Sequence, residues 1–276
     1  MISSTASDVL APGWLGPVAA LTWREIVRFL RQRSRLVGAL LQPALFWVLF
    51  GAGLSGSFQT AGGQSYQAYF LPGIAVMIVM FTAIFSAISV IQDRQEGFLQ
   101  GVLVSPASRT SIVLGKLFGG SALAVGQGVL FLAVAPLFSW LGLSPTMDLP
   151  SSPLAWLLAT AQLTVIALGL CGLGYAFAWR LNSVQGFHAV MSVLLFPLWL
   201  LSGAFFPVAK GGWLAWLMRV NPLTYGLAGL RRVLATSEAV VADLPTLSVC
   251  LAVSVSFAAG CLLVDVWLTH RPAPSP

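Results

Sequence analysis

The chain reads as an all-α membrane protein. Six transmembrane helices are expected, preceded by an N-terminal amphipathic helix on the membrane surface, with a re-entrant helical hairpin on the outer side between spans five and six. Three observations predict this. Of the 276 residues, 58% are hydrophobic and only 8% are charged, whereas a soluble domain carries about 25% charge. Long windows hold no charge at all, at 36–92, 117–147, 149–179, 181–209 and 244–264, and about 20 apolar residues suffice to cross ~30 Å of hydrocarbon. The basic residues gather on one side of these windows, which sets orientation.

Taken in order, the first sixteen residues lack the basic and apolar regions of a signal peptide, and 1–17 are expected to be a disordered tail. Residues 18–35 read as an interfacial helix. Trp23, Ile26, Val27 and Leu30 recur at helical spacing on one face, and Arg24, Arg28, Arg31 and Arg35 on another. Such a helix is held by apolar burial and by anionic lipid. It serves equally as a positive-inside anchor or as a docking element.

The 36–92 window is long enough for two helices, and the polar, Gly-rich SGSFQTAGGQSYQ at 55–67 divides it. Spans are expected near 36–55, 69–91, 112–139, 154–178, 184–206 and 246–267. Pro43, Pro136 and Pro197 predict kinks, and Gly115 with Gly119 offers a small face for close helix packing. With both termini inside, Arg24, Arg28, Arg31, Arg33, Arg35, Arg94, Arg109, Lys116, Arg180 and Arg271 are cytoplasmic, ten of the 14 Lys and Arg, and the two short outer loops have none. The net charge of +6 therefore reflects topology. No nucleic-acid partner is expected, since the basic patches lack interleaved aromatics.

Between spans two and three lies IQDRQEGFLQGVLVSPASRTSIVLGK, 91–116. Asp93 and Glu96 have the spacing of a cap, so a short cytoplasmic helix is expected over 93–104, with Phe98, Leu99, Val102 and Leu103 on one side. Ser105-Pro106 ends it and leads through Arg109 into span three. An apolar face there either lies on lipid or fills a groove on another protein. Between spans five and six, 203–234 holds two short helical patterns parted at Asn221-Pro222, a favoured cap followed by a favoured first helical residue. Leu223, Leu227, Leu230 and Leu234 form a stripe. The pieces are too apolar for water and too short to span, which suits a re-entrant hairpin covered by protein.

The residues also exclude chemistry. Each acidic residue lies in a loop or near a span end, whereas ion-coupled carriers place one at bilayer depth; His188 reads as structural. A phosphate-binding P-loop needs Gly-Lys followed by Ser or Thr, but the two lysines precede Leu117 and Gly211. No metal cluster or acyl-transfer set is expected, and Cys171, Cys250 and Cys261 read as small buried hydrophobes.

DRQEGFLQGVLVSPASRTSIVLGK resembles the first cytoplasmic loop of type-2 ABC transporter permeases, the six-span membrane halves of bacterial exporters of drugs, lipids and polysaccharides. A second resemblance is to that family's C-terminal signature: Leu195, Leu198, Leu201-Ser202, Ala204, Gly211-Gly212, then Pro222-Leu223-Thr224-Tyr225 and Arg231. The resemblance implies a single permease domain over 18–268 with a cytoplasmic tail at 269–276, in the bacterial inner membrane, working beside a second copy of itself. It implies a separate ABC ATPase dimer that carries ATP and Mg, this chain binding no cofactor. Contact with that ATPase is implied for Arg24 and Arg28 and for Asp93, Arg94, Glu96, Gly97, Phe98, Leu99, Val102, Leu103, Ser105 and Pro106. A path along spans two and five is implied, for which Phe81, Phe85, Phe196 and Trp199 are the candidates. One departure is Gln100, where many relatives are acidic, which removes the expectation of a salt bridge there. A stand-alone carrier or lipid-modifying enzyme is the competing class, separable by pull-down of an ATPase.

Overall fold

The computed structural model describes residues 15–54, 64–105, 107–209 and 211–271, with the backbone alone for 33–36. Most of the expected N-terminal tail, the divider at 55–63, Pro106, Lys210 and the last five residues lie outside the described residues. The elements are α1 (Leu15–Leu30), α2 (Arg33–Leu54), α3 (Tyr66–Ser86), α4 (Ile88–Gln95), α5 (Phe98–Leu103), α6 (Arg109–Trp140), α7 (Pro153–Arg180) and α8 (Val184–Trp199). A π-helical turn follows at Leu200–Ala204, then α9 (Gly212–Val220), α10 (Pro222–Leu234), α11 (Glu238–Val241) and α12 (Leu247–His270). Among the described residues, six helices are long and apolar enough to cross a membrane. They correspond to the six expected spans.

Helix α3 is the centre of the bundle. Ile74, Ala75, Val76, Ile78, Val79 and Met80 on all its sides are fully buried, as expected of a helix that is apolar all round and enclosed by others. It packs on α2, α6 and α7. By contrast α2, α8 and α12 keep apolar faces outward, with Leu49 68%, Val193 77% and Leu263 71% exposed, surfaces suited to lipid.

The amphipathic helix differs from expectation in length and in the face it buries. It ends at Leu30, and after a two-residue break the helix of the first span starts at Arg33. Val18, Leu21, Glu25 and Phe29 are its buried residues, while Trp23 and Leu30 point outward. The cause lies on α6, where Gly115 and Gly119 admit α1 so closely that an added Cβ would stand 2.5 Å from Leu21 Cβ and 2.6 Å from Glu25 Cβ. The small-residue face thus receives the surface helix. It also carries a carboxylate, Glu25, into the protein interior.

The loop between spans two and three differs too. Asp93 does not start a helix: α4 continues span two, and Asp93 lies in its last turns. The chain then turns at Gly97, whose φ of 77° is one that side-chain-bearing residues rarely adopt. The helix expected over 93–104 is therefore α5 alone. Ser105 closes it, its Oγ donating to Val102 O at 2.6 Å, and the N-cap of α6 is Ser108, which accepts from Ser111 N.

Span five breaks where a helix is weakest. Pro197 lacks an N–H, and two residues beyond it α8 gives way to the π-helical turn and to Gly203 at φ 83°. Gly73 of α3 lies so near that a Cβ there would be 2.8 Å from Ala204 O. Past the break, Asn221 caps α10 by accepting from Leu223 N at 2.9 Å, with Pro222 at the first position. Leu223, Leu227, Leu230 and Leu234 are all buried, as the stripe predicted.

Candidate functional site

Three features stand out along the axis of the bundle: a buried charge lock at one end, an apolar cleft, and a carbonyl clamp where span five breaks. The lock forms because Arg24 and Arg28, one turn apart on α1, face the end of α4. Asp93 is completely buried. It accepts from Arg24 Nη1 and Nη2 at 3.0 and 2.8 Å and from Arg28 Nη1 at 2.7 Å. Lys116 of α6, 6% exposed, donates to Asp93 as well, to Glu25 Oε1 at 2.6 Å and to Ser89 Oγ at 3.1 Å. Arg28 Nη2 reaches Gln92 Oε1 at 3.0 Å and the exposed Glu96 at 3.3 Å.

Three cations thus meet three carboxylates. A buried ion set of this kind adds little stability as a whole, because desolvation offsets attraction, but losing one member leaves charge uncompensated at a cost of about 3–5 kcal/mol. Its effect is geometric, holding α1, α4 and α6 at fixed spacing. Burial works against the Arg24 charge, but the bonded Asp93 outweighs it and lifts the guanidinium above its ordinary pKa. Arg94, the next residue, points the other way, donating to Trp179 O at 2.7 Å and Asn182 Oδ1 at 3.0 Å. The end of span two is thereby tied to the α7–α8 corner.

Helix α5 hangs from this lock. The Arg24 guanidinium lies 3.7 Å from the centre of the Phe98 ring, a cation–π contact. Leu99 is 3% exposed, and Val102 and Leu103 are half-buried against the core. The apolar stripe therefore turns inward onto its own chain. Gln100, Gly101 and above all Val104, 87% exposed, form the outward face.

The cleft, of about 620 Å³, lies between α2, α3 and α8. It gathers all four path candidates: Phe81 and Phe85 from α3, Phe196 and Trp199 from α8. Phe81 stacks on Phe85 with centroids 5.7 Å apart, and Trp199 is fixed by donating its indole N–H to Gly73 O at 2.8 Å. Gln42, Thr82 and Ser192 add polar groups to the aromatic lining. His188 is exposed in this wall with its ring 4.9 Å from that of Phe85.

The clamp explains the signature residues in physical terms. Gly203 breaks the helix and frees its carbonyl, which accepts from Arg231 Nη2 at 2.9 Å and Tyr69 OH at 2.8 Å. Ser202 donates to Trp199 O at 2.6 Å, and Asn221 Nδ2 to Leu198 O at 2.7 Å. Pro222 starts α10, and half-buried Tyr225 borders a neighbouring pocket. Irregular backbone within a membrane protein needs such partners.

Sequence reasoning missed Glu25 and Lys116 as site residues, and Tyr66 and Tyr69 as carbonyl partners. Lys116 did carry a signal, as one of two lysines and the only charge within the expected 112–139 span, in its first turns. Acidic groups also lie deeper in the protein than expected. Asp93 and Asp265 are near span ends as predicted, yet both are fully buried, and Asp265, close against Gly172 of α7, has no hydrogen-bond partner on either oxygen.

Comparison with known proteins extends these observations. Residues 17–235 match the ABC-2 type transporter family. The chain is 29% identical over 229 residues to the ycf38 transport permease of Porphyra purpurea, covering 80% of this chain and 75% of that one. It is 26% identical over 219 residues to the inner membrane transport permease YadH of Escherichia coli K12, covering 75% and 78%. Identity of 22% over 213 residues, covering 77% and 72%, extends to the daunorubicin resistance ABC transporter permease protein DrrB1 of Streptomyces coeruleorubidus.

Proposed function

The chain belongs to the ABC-2 type transporter family and is a membrane permease of that kind, and we propose that it is the spanning half of an ATP-driven exporter in the bacterial inner membrane. Two copies enclose the path, and separate ABC ATPase subunits supply ATP and Mg. Both termini face the cytoplasm, which puts α1, α5 and the charge lock on the ATPase side and the α9–α10 hairpin outside. The observation that carries this reading is the lock itself. A force applied to the outward face of α5 at Gln100, Gly101 and Val104 meets no slack, because Arg24 on Phe98 and the buried Asp93 pass it to α1, α4 and α6, and Arg94 passes it to the α7–α8 corner.

The cleft receives that movement. Its aromatic walls with a few amide and hydroxyl groups suit an amphipathic or lipidic cargo better than a bare polar one. In this reading the four aromatic candidates line the path from spans two and five; the 53% exposure of Phe196 leaves its ring open to a second copy.

The test is co-purification of an ATPase with the full chain, together with ATP-driven transport. A Gln100→Arg, Val104→Arg double variant should insert and fold normally, because both side chains are exposed, yet lose the ATPase. Normal retention and transport by that variant would remove α5 as the coupling element.

A further inference from the structure

Beside the carbonyl clamp, at the end of the bundle opposite the charge lock, two pockets of about 370 and 400 Å³ adjoin. Gln64, Tyr69, Arg231, Val240 and Leu244 line both. Arg231 is their most deeply placed charge, at 8% exposure. Its Nη2 donates to Gly203 O at 2.9 Å and Tyr69 O at 3.3 Å, its plane lies 4.0 Å from the Tyr69 ring centre, and its Nε has no partner. Among the described residues it pairs with no carboxylate. Its counterpart at the other end of the molecule, the Arg24–Arg28–Lys116 group, is neutralised residue for residue. A buried guanidinium held only by carbonyls and a ring keeps its full positive charge out of water, which is costly until an anion approaches.

The surroundings narrow the choice of anion. The first pocket combines the hydroxyl-bearing Ser65, Thr146, Thr236 and Ser237 with Leu71, Pro72, Met147 and Leu149. Arg219, exposed, lines the second pocket. Asp148 and Asp243 also line these pockets, one in each, but both are exposed whereas Arg231 is buried, so the desolvated charge is the cation. Guanidinium is the side chain best matched to phosphate, and an apolar floor under a cationic wall fits the neck of an amphiphile.

We propose that this double pocket binds a phosphate group at Arg231, carried on a phospholipid headgroup or supplied as free phosphate. Bound there, the anion completes the charge balance of the clamp and so steadies the break in span five. The site is separate from the aromatic cleft and does not depend on what the transporter carries.

Native mass spectrometry of the full detergent-purified chain tests this with three probes: phosphatidylethanolamine, diacylglycerol of the same acyl chains, and inorganic phosphate. Retention of the phospholipid at least tenfold above diacylglycerol supports the site with a lipid source. Displacement of that lipid by millimolar inorganic phosphate supports the same chemistry with a free source. Equal retention of diacylglycerol and phospholipid, with no bound phosphate, overturns the proposal. Arg231→Gln should abolish the difference and Arg231→Lys should keep part of it. Because Arg231 also holds the clamp, Val240→Trp provides a check that leaves the guanidinium in place: it fills the space both pockets share and should reduce retention about tenfold. Unchanged retention in Val240→Trp would place the lipid elsewhere and refute the assignment.

Discussion

Replacing Lys116 by Met removes the charge on which the α1–α6 contact converges while keeping an unbranched side chain only one atom shorter. Lys116 is 6% exposed and donates to Glu25, Ser89 and Asp93. After substitution Asp93 still has Arg24 and Arg28, so its charge stays compensated. Glu25, 6% exposed, is left with Arg24 Nη1 at 3.2 Å alone, so most of the cost falls there. Breaking one partner of a buried ion set costs about 3–5 kcal/mol, and the surviving Arg24 contact puts Lys116→Met at the lower end, about 3 kcal/mol. Equilibrium unfolding of the purified chain in mixed micelles measures it. A Glu25→Gln substitution in the Lys116→Met background should restore part of the loss, because no uncompensated charge then remains. In the assembled transporter the single variant should hydrolyse ATP but transport poorly, its α1 no longer fixed to α6. A loss under about 1 kcal/mol, the size of a surface ion pair, would show that the lock is solvated, and the argument for rigid transmission would fail.

Three further outcomes follow from single residues. Leu227 is fully buried in α10, so Leu227→Asp should prevent stable insertion, an Asp at membrane depth costing about 2.5–3.5 kcal/mol; normal expression and activity would show a solvated hairpin. Gly203→Ala should cost about 1–2 kcal/mol because φ is 83°, read as a lower unfolding midpoint, whereas the adjacent, helical Ser202→Ala should cost less. Cysteine at Leu141, in the exposed turn after α6, should react with an impermeant thiol reagent on intact cells and one at Gln100 should not; the reverse pattern would invert the topology.

The six spans, the capped start of α10 and its buried Leu stripe were legible in the sequence because each depends on local chemistry. A run of some twenty apolar residues partitions into lipid wherever it sits in a chain, and Asn221 followed by Pro222 starts a helix by satisfying or omitting its own first N–H groups. The loop between spans two and three was legible as a segment but not in its phasing. Asp-x-x-Glu is as good a cap as it is a pair of contacts for a neighbouring helix, and nothing local chooses between them. Arg24 and Arg28 chose: they draw Asp93 inward from 69 and 65 residues away and leave Gly97 to make the turn. Likewise the face of α1 that is buried follows from two glycines on α6, because between membrane helices the hydrophobic effect is weak and close packing decides which surfaces meet. Apolar periodicity carries little of that information where lipid and protein are equally apolar. The sequence by itself therefore determined which segments cross the membrane and where its loops and hairpin lie, and the tertiary structure alone decided the pairing of Lys116 with Glu25, the inward turn of Leu99 and the capture of the Gly203 carbonyl by Arg231, since each depends on residues far apart in the chain that only packing brings together.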